Sequence, residues 1–246
     1  MRGYGQEGVV DQIRQAGGEI YAITSEPQRL ASRAQDEWEF GFESVGDPHH
    51  EISDACRVRG FLELFVNDKT DLIRLDKIFS HPKGYFQPGV LALDATGRVL
   101  YRWRSRPTRK NMGGATERPT AGHVFENVSR ALAVPASSAE TAHAELDTRP
   151  KLDSRALPWP LFVLLLLANG WFIRPRPFPF LSGGPSVQQR ARRALVRIPF
   201  FVAAWGVALA LLPKWWVGVA FVAWAAWVTP GIRFLGSQFQ NEAGKD

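Results

Sequence analysis

Cysteine is almost absent from this chain of 246 residues, which contains one, Cys56. A single cysteine permits no intramolecular disulfide, no CxxC redox motif and no cysteine-rich zinc site. Any thiol chemistry within the chain therefore depends on Cys56. Its neighbours Ile52, Ala55 and Val58 place it near the apolar side of a helix. The sequence thus favours a small packing residue, with a reactive or intermolecular thiol as the alternative.

Sequence patterns for hydrolytic, phosphate-transfer or metal chemistry are also missing. There is no Ser-His-Asp order, no glycine-rich phosphate loop and no paired-carboxylate signature. Residues 47–51, Asp-Pro-His-His-Glu, form one polar cluster, but adjacent histidines do not easily face one ion, so we interpret it as a solvated helix start. His81, His123 and His143 are isolated in the sequence. We therefore predict no cofactor and no metal site.

The first 18 residues have no apolar core of the length that a secretory signal needs. The formal net charge of the chain is +6, and six arginines fall between residues 174 and 197, beside apolar segments. Basic flanks of membrane segments explain this charge without a polynucleotide. The sequence therefore predicts no nucleic-acid partner.

The clearest local pattern is a β-hairpin centred on Asp94-Ala95-Thr96-Gly97, because a turn ending in glycine lies between two short apolar runs. Residues 89–93 are almost continuously apolar, as in a strand covered on both faces. In the second run, Val99, Tyr101 and Trp103 alternate with residues that include two arginines. We expect this pair to close one side of a mixed sheet.

The rest of the N-terminal half predicts alternating helices and strands. The expected order begins with a helix ending at Gly17-Gly18, a buried strand over 19–25, a helix capped by Ser25 and a short strand over 40–45. A helix from Asp47 to about Val58 and a helix over 68–80 follow. The hairpin and a last helix over 124–132 complete the domain. Helices and strands mixed in this way indicate an α/β domain.

Two stretches carry a resemblance to a known family. They are EIYAITSEPQRLASRAQDEWEFGFESVGDPHHEISDACRVRG, residues 19–60, and FQPGVLALDATGRVLYRWR, residues 86–104. They resemble the peroxiredoxin-like branch of the alkyl hydroperoxide reductase and thiol-specific antioxidant family, which includes selenoprotein U-like proteins. The resemblance covers roughly residues 9–133. It implies a thioredoxin-like mixed sheet flanked by helices, and an antioxidant or redox role that uses a thiol reductant.

The same resemblance implies that part of the family's architecture has no counterpart here. Family members begin with strands and a helix start that holds the peroxidatic cysteine. In this chain those first strands and that cysteine are missing, so we expect either an N-terminally truncated relative or a longer natural protein that carries the site. Thioredoxin-like folds usually place a cis-proline opposite the thiol. If the missing segment exists, the resemblance implies that its cysteine faces Pro88, which is the candidate for that cis-proline.

The C-terminal third is apolar and rich in tryptophan, with seven of the nine tryptophans of the chain. We predict a soluble domain over 1–133, a flexible linker over 134–156, a membrane region over 157–230 and a polar tail over 231–246. Within the membrane region we expect a first apolar helix over 157–173, an arginine-rich connection over 174–197, and a helical hairpin over 198–229 with its tip at Pro213-Lys214. A buried soluble hairpin is the alternative.

These patterns predict a protein attached to the lipid bilayer, with the soluble domain on the cytoplasmic face. The first apolar helix would then be re-entrant or interfacial, and the opposite orientation is the alternative. Two functions remain open. The first is a membrane-anchored thiol antioxidant that lacks its nucleophile in this chain, and the second is a noncatalytic thioredoxin-like module that binds a partner at the membrane.

Overall fold

The computed structural model describes residues 4, 8–39, 41–68, 82–108, 111, 114, 117–134, 143–152, 160–161, 164, 167–168, 187–238, 240 and 242. The chain forms two compact units. The first comprises Met1–Thr70, Phe79–Ala156 and Gln240–Asp246, and the second comprises Asp71–Ile78 and Leu157–Phe239. The helix predicted over 68–80 and most of the apolar segment predicted over 157–173 lie outside the described residues.

The first unit is an α/β domain. Its elements are α1 (Val9–Gln15), β1 (Tyr21–Thr24), α2 (Gln28–Trp38), β2 (Glu43–Gly46), α3 (Glu51–Val58), β3 (Val66–Asn67), β4 (Tyr85–Phe86), β5 (Gly89–Leu93), β6 (Val99–Arg104) and α4 (Ala121–Leu132). The predicted alternation of helices and strands, with a hairpin before the last helix, is confirmed in these residues. The short pair of β3 and β4 has no counterpart in the prediction.

The hairpin of β5 and β6 forms as predicted. Its turn is held by the Asp94 carboxylate, which accepts hydrogen bonds from the N–H and hydroxyl of Thr96 and from the N–H and guanidinium of Arg98. Gly97 has a φ of 86°, a conformation that glycine adopts without steric penalty. The strands are antiparallel, with a register shift between Ala92 and Leu93.

The prediction that Ser25 caps α2 is wrong. Pro27 is the N-cap residue of this helix, and no side chain caps it. The Ser25 hydroxyl instead accepts a hydrogen bond from the Phe86 N–H, at 3.3 Å. Ser25 therefore connects the end of β1 to β4, because its side chain points to the neighbouring strand pair rather than to the helix.

The single mixed sheet that we expected does not form among the described strands. There are three separate two-stranded sheets: β1 with β2 in parallel, β3 with β4 antiparallel, and β5 with β6 antiparallel. A continuous sheet would need a ladder between β1 and the hairpin. The strand predicted as buried over 19–25 is also half open, since Tyr21 and Ile23 are 56% and 42% exposed.

Two clusters of side chains form the core of the first unit. One contains Val10, Ala22 and Phe42, and the other contains Tyr101, Trp103 and Val124. Tyr4 packs against both clusters, and α1 contacts α4. The cluster beside the β1–β2 sheet and the cluster beside the β5–β6 sheet therefore meet at Tyr4, although no ladder joins the two sheets.

Residues 143–152 differ from the flexible linker predicted over 134–156. The Ala144 N–H donates to the Val99 carbonyl and the Asp147 N–H donates to the Arg102 carbonyl, both at 2.9 Å. Leu146 forms a parallel bridge with Arg102. This part of the predicted linker is thus hydrogen-bonded along β6, a pairing that its polar composition did not indicate.

The second unit contains an antiparallel helical hairpin of α5 (Val187–Leu211) and α6 (Lys214–Gln238). The break falls at residues 212–213, which confirms the predicted tip at Pro213-Lys214. Aromatic rings hold the helices together. Trp205 lies 5.2 Å from Phe221 and 6.1 Å from Trp224, as measured between ring centroids.

The prediction of membrane helices, and with it the predicted membrane location, is contradicted. Within the described residues, none of the helices combines the length and the apolar content needed to cross a bilayer. The first turns of α5 carry arginines, so its apolar part, from Ile198 to Leu211, rises only about 21 Å at ~1.5 Å per residue, against a hydrocarbon core of about 30 Å. The apolar run of α6 is similarly short, between Lys214 and Thr229.

Candidate protein-binding edge

Cys56 lies on α3, and its side chain is partly buried. Burial raises the pKa of the Cys56 thiol above its ordinary value, and the nearby charge of Arg59 opposes this shift without reversing it. The thiolate is the nucleophilic form of cysteine, so a raised pKa lowers reactivity at neutral pH. This environment agrees with a packing role better than with a peroxidatic role.

Pro88 does not have the geometry that the resemblance implies. No cis peptide bond occurs among the described residues, so the Gln87-Pro88 bond is trans. Pro88 directly precedes β5, where its carbonyl accepts a hydrogen bond from the Ser105 N–H at 2.8 Å. Its role in the structure is therefore to extend the pairing of β5 with β6.

The polar cluster over 47–51 is more buried than a solvated helix start. The buried Asp47 carboxylate accepts a hydrogen bond from the Ser53 N–H at 3.0 Å. The His50 ring packs on Phe86, and its Nε2 lies 3.3 Å from the Gly84 carbonyl oxygen. No group of three potential metal ligands occurs among the residues that the structure describes.

The free edge of β1 is the most distinctive surface of the first unit. In a parallel pair, successive residues direct their backbone groups alternately to one side and the other. The Asp47 N–H donates to the Thr24 carbonyl at 2.7 Å, so Thr24 and Ala22 face β2. The N–H and C=O of Tyr21 and Ile23 therefore point away from β2, and no hydrogen-bond partner for them occurs in the described part of the chain.

The outer edge of β2, in contrast, is covered by glutamine side chains of α2. The Gln35 amide oxygen accepts from the Ser44 N–H at 2.7 Å, and the Gln28 amide oxygen accepts from the Gly46 N–H at 2.7 Å. The Gln28 amide N–H also donates to the Ser44 carbonyl at 2.9 Å. Two side chains seven residues apart, on one face of the helix, thus take the place of a neighbouring strand.

The outer edge of β6 is covered as well, by residues 143–147. A polar cluster fixes this segment, since the Asp147 carboxylate accepts from the Tyr101 hydroxyl at 2.9 Å and lies 2.8 Å from His123 Nε2. Burial would raise the pKa of Asp147, but hydrogen bonds with His123, the Arg149 N–H and Tyr101 outweigh it and lower that pKa. The pKa of Tyr101 is raised by burial and by its bond to Asp147.

The outer edge of β5 also lacks a strand partner among the described residues. Ser105 bonds to Pro88, so the antiparallel alternation directs the backbone groups of Leu91 away from β6. Val90 and Ala92 of β5 pack against the cluster that contains Tyr101, and Tyr4 joins that cluster to the one beneath β1. The open edges of β1 and β5 therefore belong to sheets whose side-chain clusters meet at Tyr4.

Comparisons with protein-family models, with curated proteins and with solved structures find no match for this chain. The peroxiredoxin-like resemblance therefore stays a prediction. The geometry of the strand edges is what indicates a function.

A polar cleft of about 340 Å³ beside α3 is a weaker candidate site. It contains His50, Arg57 and Arg104, which suggests an anion. Glu242, however, holds Arg104 in an ion pair at 2.7 Å, and Asp54 holds Arg57 at 3.1 Å. Leu64, Phe65 and Val66 also line the cleft, but its two arginines are already paired with carboxylates of its own wall.

Two features of the sequence are consistent with an open edge at β1. The prediction of a buried strand over 19–25 did not use either of them. Tyr21 and Ile23 alternate with Ala22 and Thr24, a period that indicates one open face rather than a fully buried strand. Gln28 and Gln35 lie at helical spacing just before a strand. The pairing of His123 with Asp147, 24 residues apart, has no such signal in the sequence.

Proposed function

We propose that the first unit is a noncatalytic binding module that receives an extended polypeptide segment along the free edge of β1. The observation that carries this proposal is the pair of outward backbone N–H and C=O groups at Tyr21 and Ile23, beside exposed apolar side chains. A strand with unpaired edge groups is a template for another strand. Peptide recognition by strand addition uses such an edge.

The neighbouring edges support this assignment. Natural proteins cover strand edges to prevent unwanted pairing. Here the edges of β2 and β6 are covered by Gln28, Gln35 and the 143–147 segment. The edge of β1, like that of β5, has no such cover among the described residues, and it is available for a partner strand.

A redox function has less support. A peroxidatic cysteine needs a stabilised thiolate, and burial raises the pKa of the Cys56 thiol instead. Backbone pairing at β1 requires no nucleophile. The binding function is therefore the one that the geometry favours.

The test is selection of peptides from a displayed library of eight-residue sequences on the full chain, followed by binding measurements with the selected peptides. Ile23→Pro removes an outward N–H and blocks the edge, so it should weaken binding by about tenfold or more. Ile23→Thr keeps the backbone N–H and should bind far better than Ile23→Pro. Ile23→Pro should keep the circular-dichroism spectrum of the wild type, because the Ile23 N–H is not part of the β1–β2 ladder.

Val58→Ser is the matched control, because Val58 is exposed on α3 and lies outside β1. It should leave peptide binding unchanged. If the library yields no binder, or if the binders are insensitive to Ile23→Pro, the proposed function is wrong.

A further inference from the structure

The C-terminal tail of the chain contacts the first unit at the polar cleft beside α3. Glu242 lines this cleft, although it is 138 residues away from Arg104 in the sequence. We propose that the cleft is a second peptide-binding site, which recognises a segment with glutamine two residues before glutamate, and that Gln240 and Glu242 occupy it as an internal ligand. A partner polypeptide with the same pair of residues would bind by displacing the tail. The site is distinct from the β1 edge, because no residue of β1 lines the cleft.

Three hydrogen bonds hold the two tail residues, and each uses a different chemical group. The Arg104 guanidinium donates to the Glu242 carboxylate at 2.7 Å, and the Glu242 N–H donates to the Pro107 carbonyl at 2.9 Å. The Gln240 side-chain oxygen accepts from the Asp68 N–H at 3.1 Å. A few polar groups at fixed positions give a binding site its specificity. A carboxylate, a side-chain amide and a backbone N–H are each recognised here, which favours a peptide over a simple anion.

The ion pair between Arg104 and Glu242 is shielded from water. The two side chains are 16% and 18% exposed, whereas those of the Arg57–Asp54 pair are 54% and 50% exposed. An exposed pair contributes little because water and salt screen it. A shielded guanidinium has lost much of its hydration and needs an anionic acceptor in place of water. Arg104 therefore favours a carboxylate ligand, and Glu242 is the carboxylate that the chain itself supplies.

The wall of the cleft offers further contacts to a longer segment. Leu64, Phe65 and Val66 line it, and a volume of about 340 Å³ stays open with Glu242 in place. Gly89 lies opposite Arg104 in the β5–β6 ladder, and a Cβ at Gly89 would overlap with the Leu64 side chain. The absence of a side chain at Gly89 thus leaves room for Leu64. A partner segment can contact apolar side chains that the two tail residues leave accessible.

Covalent attachment makes the tail a strong competitor for this site. A tethered ligand has an effective concentration of about 1 mM at its site, so a free peptide meets an occupied cleft in the wild type. Loss of the Glu242 carboxylate removes this competitor and leaves Arg104, Pro107 and Asp68 in place. The tail therefore controls access to the cleft.

An NMR titration of the full chain with the peptide FQNEAGKD, which has the sequence of residues 239–246, tests this proposal. Glu242→Ala should bind this peptide at least about tenfold more tightly than the wild type, because the tail competes only in the wild type. The bound peptide should move the Asp68 amide resonance of the variant towards its wild-type position. The peptide FQNQAGKD, which lacks the carboxylate, should bind the variant about tenfold more weakly than FQNEAGKD does.

Glu145→Ala is the matched control, because it removes an exposed carboxylate that does not line the cleft. It should bind FQNEAGKD as weakly as the wild type does. Equal binding by the wild type and Glu242→Ala, no binding by Glu242→Ala, or equal affinity for the two peptides would each overturn the proposal. If sodium sulfate shifts the Asp68 amide as the peptide does, the cleft takes any anion and peptide recognition is wrong.

The variant Ile23→Pro separates this site from the β1 edge. Combined with Glu242→Ala, it should leave the affinity for FQNEAGKD unchanged, since Ile23 does not line the cleft. Loss of binding in the double variant would place this peptide on β1 and overturn the assignment of the cleft. Failure of the library peptides to bind at β1 does not affect this result.

Discussion

At the scale of single residues, burial and hydrogen bonding decide what each titratable side chain can do. Cys56 of α3 is partly buried, and this burial raises the pKa of its thiol. Asp94 lies in a turn at the surface, where hydrogen bonds from Thr96 and Arg98 lower its pKa to about 2. One group is therefore held in its neutral form and the other in its charged form, and both effects can be measured.

Alkylation of the Cys56 thiol tests the first effect. At pH 7 we expect iodoacetamide to modify Cys56 more slowly than it modifies free cysteine, because the thiolate fraction is lower. The full chain should consume hydrogen peroxide at the same rate as Cys56→Ser in the presence of a thiol reductant. Peroxide turnover that depends on Cys56 would restore the redox function.

The Asp94 turn gives a pH dependence with a defined sign. The folded-state pKa of about 2 lies below the ordinary value of 3.8, so the turn stabilises the fold fully above about pH 4 and loses this contribution as the pH falls towards 2. Thr96→Ala should raise the pKa of Asp94 towards 3.8, as measured by NMR titration of its carboxyl carbon. An unchanged pKa would mean that the Thr96 hydroxyl does not hold the carboxylate.

At the scale of helices and strands, some outer edges of the sheets are covered by other parts of the chain and others are open. The two glutamines of α2 occupy the outer edge of β2, and residues 143–147 occupy that of β6. The edge of β1 has neither kind of cover among the described residues. The surface available to a partner strand follows from this difference, rather than from any catalytic group.

Gln35 should be important for stability, because it satisfies a buried backbone group. Gln35→Ala leaves the Ser44 N–H, which lies on a buried residue, without its acceptor. We expect a loss of about 1–3 kcal/mol in the free energy of unfolding, measured by urea denaturation. Arg29→Ala, on the exposed side of the same helix, is the control and should change it by less than about 0.5 kcal/mol. Equal effects of the two substitutions would contradict the role of Gln35.

The sequence predicted the elements whose signals are local. The hairpin turn follows from Asp94 and Gly97, and the break between α5 and α6 follows from Pro213, each within a few residues. The cover of the sheet edges could not be predicted in this way, since Val99 and His143 are 44 residues apart. The buried strand over 19–25 was predicted from composition, which does not report what lies beside a strand.

At the scale of the whole molecule, the chain consists of two units with different surfaces. The first has separate small sheets where one mixed sheet was expected, because no ladder joins β1 to the hairpin among the described strands. The second has apolar helices that tryptophan and low charge suggested were membrane spans, although each apolar run that the structure describes is too short to cross. In both units the sequence indicates correctly which segments are apolar. The prediction of what surrounds those segments, a continuous sheet in the first unit and a bilayer in the second, is wrong.

Amide hydrogen exchange of β1, followed by NMR on the full chain, is the decisive measurement for the open edge. An open edge predicts alternation: the amides of Ala22 and Thr24, which face β2, exchange slowly, and those of Tyr21 and Ile23 exchange rapidly. Addition of a selected peptide should then protect Tyr21 and Ile23. Slow exchange at Tyr21 and Ile23 in the free protein would show that the edge is already occupied, and binding by strand addition at β1 would be ruled out.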